Sequence, residues 1–372
     1  MTSFSSLRLL RKLSASVNEL RGQALEHGFA VNFDPRNILV INFGQLGDVL
    51  LSLPALRAIR GRFPQAKITV AVGKLGADVV KLSGYADEAL VADRVSVRDG
   101  FKPVSVFRLF KLVKDVRRKK FDFVIDLHSL SETNLLGFLS GASKRLFARR
   151  PGCSLDFLAN FSPPPPATDH RKRHLIDRYL DVLKPLEIKN AERLPVLKTR
   201  PTDNASLERI LKKAKADAGA PLVGLFPGAG HPSRRWPLHQ FASLADFLIR
   251  NDQVKVLVFA GREERTFVKD IRRHFPPSVV VLDQLTIPQL AAAQARLAAF
   301  VSNDTGAIHM AAAVGTPVVL LLDKRPSEAY LPQGDRHQMI YNNVIGDITV
   351  DEVYTATRSI LASTRMAALF AS

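Results

Sequence analysis

The sequence predicts an α/β protein built from two doubly wound domains with parallel sheets, and three observations carry that prediction. Apolar runs of strand length alternate with helical stretches along most of the chain, the pattern of parallel sheets covered on both faces. The chain has 372 residues, 46% of them hydrophobic, enough for two cores of ordinary size. Small or polar turns follow several of the apolar runs, and open α/β sheets bind ligands at such strand ends.

Residues 1–36 come first. Leu10, Leu13, Val17, Leu20 and Ala24 recur at helical spacing among Arg8, Arg11, Lys12 and Arg21, which reads as a basic amphipathic helix packed on the protein rather than on a membrane. No compact apolar core with a small-residue cleavage site marks a secretory signal there. The first α/β domain is expected over 37–195. A strand at Ile38–Phe43 leads through a Gly-rich turn to a helix over Val49–Phe63. Strands follow at Ile68–Val72 and Phe123–Leu127, with helices around 105–119, 130–140 and His174–Leu183. Pro163–Pro166 reads as a stiff loop, and 184–202 as a linker.

The second domain, 196–345, alternates more clearly. Strands are expected at Leu222–Phe226, Lys255–Ala260, Val279–Leu282, Ala299–Ser302 and Pro317–Leu322. Helices are expected at Leu238–Arg250, Glu263–His274, Ile287–Ala295 and Ile308–Val314. A C-terminal helix within 346–372 completes the chain.

Composition narrows the function. No apolar run is long enough to span a bilayer, since Met310–Leu322 is short and interrupted by Thr316 and Pro317. The single cysteine, Cys153, cannot form an internal disulfide or a cysteine-built metal cluster, which fits a reducing cytoplasm. Net charge is +18, and residues 1–218 carry 38 Lys/Arg against 22 Asp/Glu while residues 219–372 carry 15 against 13. A basic first half implies an acidic partner. Nucleic acid is disfavoured, because the aromatics do not interleave with the basic runs and no nucleic-acid-binding signature is present.

Four strand ends carry the candidate chemistry. Ser302-Asn303-Asp304-Thr305-Gly306 hands a strand over to an Ala-rich helix, whose exposed N–H groups and positive end form an anion site. Asp304 and Thr305 are expected to supply capping oxygens, Gly306 to let a ligand approach the backbone, and His309 to lie one turn in. Gly44-Gln45-Leu46-Gly47-Asp48 fits neither GxGxxG nor a Walker A loop; Asp48 reads either as a helix cap or as a general base for a hydroxyl. In Gly228-Ala229-Gly230-His231-Pro232-Ser233-Arg234-Arg235-Trp236, the glycines allow close approach, and Arg234 or Arg235 can set a rigid fork of donors on a phosphate. In Gly261-Arg262-Glu263-Glu264, an acid can accept hydrogen bonds from a ribose diol or merely favour a first helical turn.

Four segments in this order, INFGQLGDVLLSLPALRAIRGRFP, PGAGHPSRRWPLHQFASLA, FAGREE and SNDTGAIHMAAAVGTPVV, resemble the lipopolysaccharide heptosyltransferases, glycosyltransferase family 9. The resemblance spans roughly 37–345, with weaker support from FDFVIDLHSL and HLIDRYLDVL. It implies a GT-B fold, with the acceptor bound mainly by the N-terminal domain and an ADP-sugar by the C-terminal one. It implies further that Asp48 is the general base, that Asp304, Thr305, Gly306 and His309 form a donor motif, and that Glu264, or failing it Glu263, holds the ribose. Arg234 stands where many members have lysine, and Ala229 and Gly230 where some have threonine, so the diphosphate would draw on Arg234 and on the Gly228–Gly230 backbone.

The reaction so implied transfers heptose from ADP-heptose to the lipopolysaccharide inner core with inversion, on the inner face of the cytoplasmic membrane. No two aspartates are separated by one residue, so no metal is expected; Arg234 and the helix start at Thr305–Gly306 would carry the leaving charge. Gly47, Arg117, Arg118, Lys119 and Lys120 are the candidate contacts to the anionic acceptor, with further basic runs at Lys144-Arg145, Arg149-Arg150 and Arg171-Lys172-Arg173. The competing readings are a relative that uses another nucleotide sugar and an inactive relative.

Overall fold

The computed structural model describes residues 33–92, 103–150, 155–167, 173–214, 216, 219–261, 264, 267–323 and 328–371. The expected N-terminal helix and Cys153 lie outside them. The chain divides into two compact units, one of residues 1–44 and 54–192, the other of 45–53 and 193–372.

β1 (Asn37–Asn42) opens the first unit, and Ile38 to Ile41 are fully buried, as an apolar run covered on both faces must be. Instead of one helix, two follow: α1 (Leu46–Leu51), which is grouped with the second unit, and α2 (Leu53–Arg62). Pro54 has no N–H, and within a continuous helix its ring would strike the carbonyl of Leu50, so the helix breaks at Ser52. β2 (Lys67–Val72), α3 (Lys74–Ser83), β3 (Glu88–Val91), α4 (Pro103–Arg118), β4 (Phe123–Asp126), α5 (Ser131–Leu139), β5 (Lys144–Phe147) and α6 (Leu175–Val182) complete it. The strands are all parallel in the order β3-β2-β1-β4-β5. Leu112 and Val116 of α4 and Leu136 of α5 pack with Leu39, Ile41 and Phe43, which puts both helices on one face. α3, β3 and β5 were not among the expected elements. The Pro163–Pro166 stretch forms neither helix nor strand.

In the second unit, α7 (Pro201–Lys213) starts inside the expected linker, with Pro201 at the position where a missing N–H costs nothing. Then come β6 (Leu222–Phe226), α8 (Leu238–Asp252), β7 (Lys255–Phe259), α9 (Val268–His274), β8 (Val280–Leu282), α10 (Ile287–Gln294), β9 (Leu297–Asn303), α11 (Gly306–Ala313), β10 (Val318–Asp323), β11 (Gln338–Asn342) and α12 (Val350–Ala371). The order β11-β10-β9-β6-β7-β8 is parallel throughout. Renumbered from β6, this is the dinucleotide-fold order 3-2-1-4-5-6 read from the other edge. One apolar layer joins α8 and α12 to the sheet, and another joins α7, α10 and α11. The order reverses between β6 and β9, so the strand ends there flank the crevice in which such sheets bind ligands.

Candidate functional site

Three strand ends converge on that crevice. At the end of β9, Ser302 and Asn303 are buried. Thr305 is the N-cap of α11 in extended conformation, but its side chain makes no capping bond; its hydroxyl lies 3.3 Å from that of Ser302. The expected threonine cap is therefore not made. Gly306 has a second reason to be glycine: a Cβ there would lie 3.1 Å from Leu46 Cβ and 3.3 Å from the Gly47 nitrogen. The same packing brings Gly47 to His309, whose Cδ2 would be 3.0 Å from a Cβ at Gly47. α1 thus lies against α11. It carries Asp48 at its third position, where Oδ2 accepts the backbone N–H of Gln45 at 2.7 Å. The cap reading of Asp48 holds for that oxygen; the capping bond also holds the half-buried carboxylate in place.

After β6 the loop is pinned from two sides. Asn303 Nδ2 donates to the carbonyls of Pro227 and Gly228, both at 3.0 Å, and Asn303 Oδ1 accepts the Trp236 N–H at 3.0 Å. Trp236 is a core residue: its ring is buried edge-on to Phe241 and its Nε1 donates to the Ile348 carbonyl at 2.8 Å. The two arginines have different surroundings. Arg235 donates to the Ala229 carbonyl from Nη2 at 3.2 Å and stacks over Phe267 at 5.0 Å. Arg234 ends a short 3-10 turn, and its Nη1 lies 3.7 Å from Asp304 Oδ2. Its Nε is buried without a hydrogen-bond partner, which for a guanidinium marks an incomplete environment. Ala229 is buried, whereas a Cβ at Gly230 would meet nothing within 4 Å.

The end of β7 supplies the acid. Glu264 is only 4% exposed and its Oε2 accepts the Gly261 N–H at 2.8 Å. A Cβ at Gly228 would overlap the Glu264 carboxylate, and one at Gly261 would come within 2.7 Å of Oε2. Gly228 is therefore a seat for Glu264. Glu263 and Arg262 lie outside the described residues. Gly228, Ala229, Gly230, Arg234, Glu264, Asp304, Thr305, Gly306 and His309 are thus gathered in one unit, together with Gly47 and Asp48.

The basic run expected to meet the acceptor belongs to the first unit. Arg117 and Arg118 end α4, and the carbonyl of Lys119 accepts from Asn37 Nδ2 at 2.5 Å. Lys120, at φ 52°, turns the chain, and Lys119 Nζ pairs with Glu88 at 2.5 Å. Asn37 is the first residue of β1, so the run sits at the start of that strand, about 17 Å from its C-terminal end at ~3.3 Å per residue. A helix that leads into a parallel strand must end where the strand begins. Arg145 is taken up by the carbonyls of Ala142 and Leu158, at 2.7 and 2.9 Å. Arg150, beyond β5, donates to the His128 carbonyl at 3.0 Å at the C-terminal edge of the sheet. Arg173 pairs with Asp181, beside a cavity of about 160 Å³ that shares no residue with the loops above. Arg171 and Lys172 lie outside the described residues.

The sequence reading passed over Asn303 as a site residue, although it stands inside the motif. It also passed over Asp126 at the end of β4, which is fully buried. Asp126 Oδ1 accepts the N–H groups of His128 and Ser129, at 3.0 and 2.7 Å, and Oδ2 accepts Asn134 Nδ2 at 2.8 Å. Burial pushes its carboxyl up to about 7 against those hydrogen bonds. Among the described residues, no helix is long and apolar enough to cross a membrane, and no three His, Cys, Asp or Glu side chains are grouped as a metal site.

The family model for glycosyltransferase family 9 (heptosyltransferase) matches residues 109–351. The chain is 23% identical over 321 residues to lipooligosaccharide heptosyltransferase 2 of Haemophilus ducreyi, covering 84% of this chain and 90% of that one. It is 24% identical over 297 residues to lipopolysaccharide heptosyltransferase 2 of Escherichia coli K12, covering 76% and 82%. Among solved structures it is similar to a glycosyl transferase family 9 protein from Veillonella parvula, with TM-score 0.76, 21% identity and coverage of 90% and 99%. It is also similar to E. coli ADP-heptose LPS heptosyltransferase II, with TM-score 0.72, 22% identity and coverage of 88% and 99%. The likeness in fold identifies the two parallel-sheet domains as the GT-B type.

Proposed function

Because this chain belongs to glycosyltransferase family 9, we propose that it is an inverting enzyme that moves heptose from ADP-heptose to the inner core of lipopolysaccharide. The observation that carries the reading is the second unit's switch point, where Arg234, the start of α11 and Glu264 stand at neighbouring strand ends. In this reading Glu264 accepts from the ribose, and Arg234 with the N–H groups at Thr305–Gly306 receives the diphosphate. Asp48 takes the proton of the acceptor hydroxyl as that oxygen attacks the anomeric carbon. The bond from that carbon to the phosphate oxygen breaks on the opposite face, ADP departs with the electron pair, and the configuration inverts. Arg234 and the helix start stabilise the departing charge, so the step as written uses no metal.

The acceptor carries carboxylates and phosphates on a lipid, which the basic first half would attract. In this reading the reaction takes place at the inner face of the cytoplasmic membrane.

The deciding experiment offers ADP-heptose, ADP-hexoses and GDP-hexoses with a purified core acceptor and follows nucleotide release and product configuration. Inverted heptosyl product from ADP-heptose alone supports the reading, whereas preference for a hexose donor replaces the sugar and retains the site. Asp48→Asn keeps an oxygen for the Gln45 N–H while removing the base. It should cut turnover about 10²–10⁴-fold with ADP affinity nearly unchanged; wild-type turnover would leave Asp48 as a cap only.

A further inference from the structure

We propose that the outward face of α4 and α5 is a docking surface for an anionic lipid bilayer. α4 buries Leu112 and Val116 against the sheet, while Phe110, Lys111, Lys114, Arg117 and Arg118 are exposed. Phe110, Lys114 and Arg117 follow at i, i+4 and i+7, so the aromatic ring and the cations share one stripe. Phe110 is 65% exposed, too much for a side chain that merely rims a core.

A single exposed phenylalanine would mean little. The neighbouring α5, on the same face of the sheet, repeats the pattern. It buries Leu136 and presents Leu135 at 38% and Phe138 at 45% exposure. The Arg145 guanidinium lies over the Phe138 ring at 5.4 Å. Residues 103–120 hold seven basic residues and one acid, Asp115, which lies 4.0 Å from Arg118. The other acid on these two helices is Glu132, half-buried in the first turn of α5.

Large apolar side chains ringed by cations match a bilayer interface: rings enter the headgroup boundary while lysines and arginines meet lipid phosphates. An acidic soluble partner would match the cations and leave Phe110, Leu135 and Phe138 without a role. This inference also gives a role to the basic run at the end of α4. It deepens the proposed function by giving the membrane contact a surface, and that surface can be tested without an acceptor.

The full chain is to be sedimented with vesicles of phosphatidylcholine, with and without phosphatidylglycerol, across a salt series. Wild type should bind only the anionic vesicles and release as salt rises. A Lys111→Gln/Lys114→Gln/Arg117→Gln/Arg118→Gln variant should lose about fivefold in affinity per cation removed. Phe110→Ser/Phe138→Ser should weaken binding at least tenfold while melting as wild type does and keeping wild-type transfer to a water-soluble acceptor fragment. Phe110→Trp should be quenched by brominated lipid, with buried Trp236 as the unquenched reference. Absence of transfer in every protein, with the vesicle pattern intact, supports the surface and counts against the activity reading alone. Vesicle binding by both multiple variants at wild-type strength overturns the inference, as does its loss only on deleting residues 1–32. Binding without quenching, matched by a soluble polyanion, overturns it too and makes the face an acidic-partner site.

Discussion

Asn303 holds Gly228: its side-chain amide donates to the glycine carbonyl at 3.0 Å, across the switch point from the end of β9 to the loop after β6. It also holds the Pro227 carbonyl and the Trp236 N–H, so one buried side chain sets where that loop starts and where it ends. Asn303→Ala leaves two buried carbonyls and one N–H without partners. It should cost about 2–4 kcal/mol in urea unfolding and weaken ADP at least tenfold. Asn303→Asp, which turns a donor into an acceptor facing two carbonyls, should be worse. A stability loss below about 1 kcal/mol for Asn303→Ala would mean that the loop is held by its other contacts.

Gly228 tests the seat of the acid. A methyl group there overlaps the Glu264 carboxylate, so Gly228→Ala must displace Glu264 or the loop. Glu264→Gln keeps the volume and removes the charge. If Glu264 serves the ribose, both variants should weaken ADP and leave pyrophosphate binding almost unchanged. Gly228→Ala should in addition cost about 1–3 kcal/mol of stability, the usual penalty of overpacking. Equal loss of ADP and pyrophosphate would relocate Glu264's role to the phosphates.

Much of this arrangement was legible in the sequence, and the remainder was hidden for physical reasons. The strands of the second unit are runs such as Leu222–Phe226 and Lys255–Phe259, apolar on both faces, and their glycine and acid ends announce the crevice. β3 was missed because Glu88–Val91 is a four-residue, partly exposed edge strand with no strong apolar pattern. The break at Ser52 was readable from Pro54, but the apolar periodicity through it outweighed that signal. The site of Arg117–Lys120 follows from chain order, which charge counting ignores. Gly306 reads as room for a ligand and Gly47 as an acceptor contact, and only the fold shows that both also serve the contact of α1 with α11. Adjacent arginines are equivalent as letters, and only the surroundings of Arg234 and Arg235 separate them.

That separation yields the third prediction. Arg235 is committed to the Ala229 carbonyl and to Phe267, whereas Arg234 has a buried Nε without a hydrogen-bond partner beside Asp304. Arg234→Ala should therefore weaken ADP much more than AMP, because only ADP extends a second phosphate. Arg234→Lys should recover part of the loss, as a point charge replaces a fork. Arg235→Ala should lower the melting temperature and affect both nucleotides alike. Calorimetric titration of the two nucleotides decides, and an AMP–ADP difference confined to Arg235→Ala would exchange the two roles.

The last prediction concerns Asp126 and pH. Burial raises its carboxyl from 3.8 to about 7, even though hydrogen bonds from two backbone N–H groups, the Thr133 side chain and Asn134 Nδ2 pull it down. Below about pH 4 the folded and unfolded chains both hold the proton, and this group's contribution is fully present. Between there and about 7 only the folded chain holds it, so stability falls as pH rises, by at most about 1.4 kcal/mol per unit. Above that range both forms are ionised and the slope disappears. The neutral acid also has a natural acceptor: Asn134 Oδ1 is buried without a hydrogen-bond partner, and a half-turn of that amide brings it to the Asp126 hydroxyl. Asp126→Asn presents the same donor at every pH while its Oδ1 still accepts from His128 and Ser129. Relative to wild type, it should therefore gain stability between about pH 5 and about pH 8. Urea unfolding of both proteins across that range measures the difference. Parallel curves would mean that the hydrogen bonds from His128, Ser129, Thr133 and Asn134 outweigh burial and keep Asp126 ionised throughout.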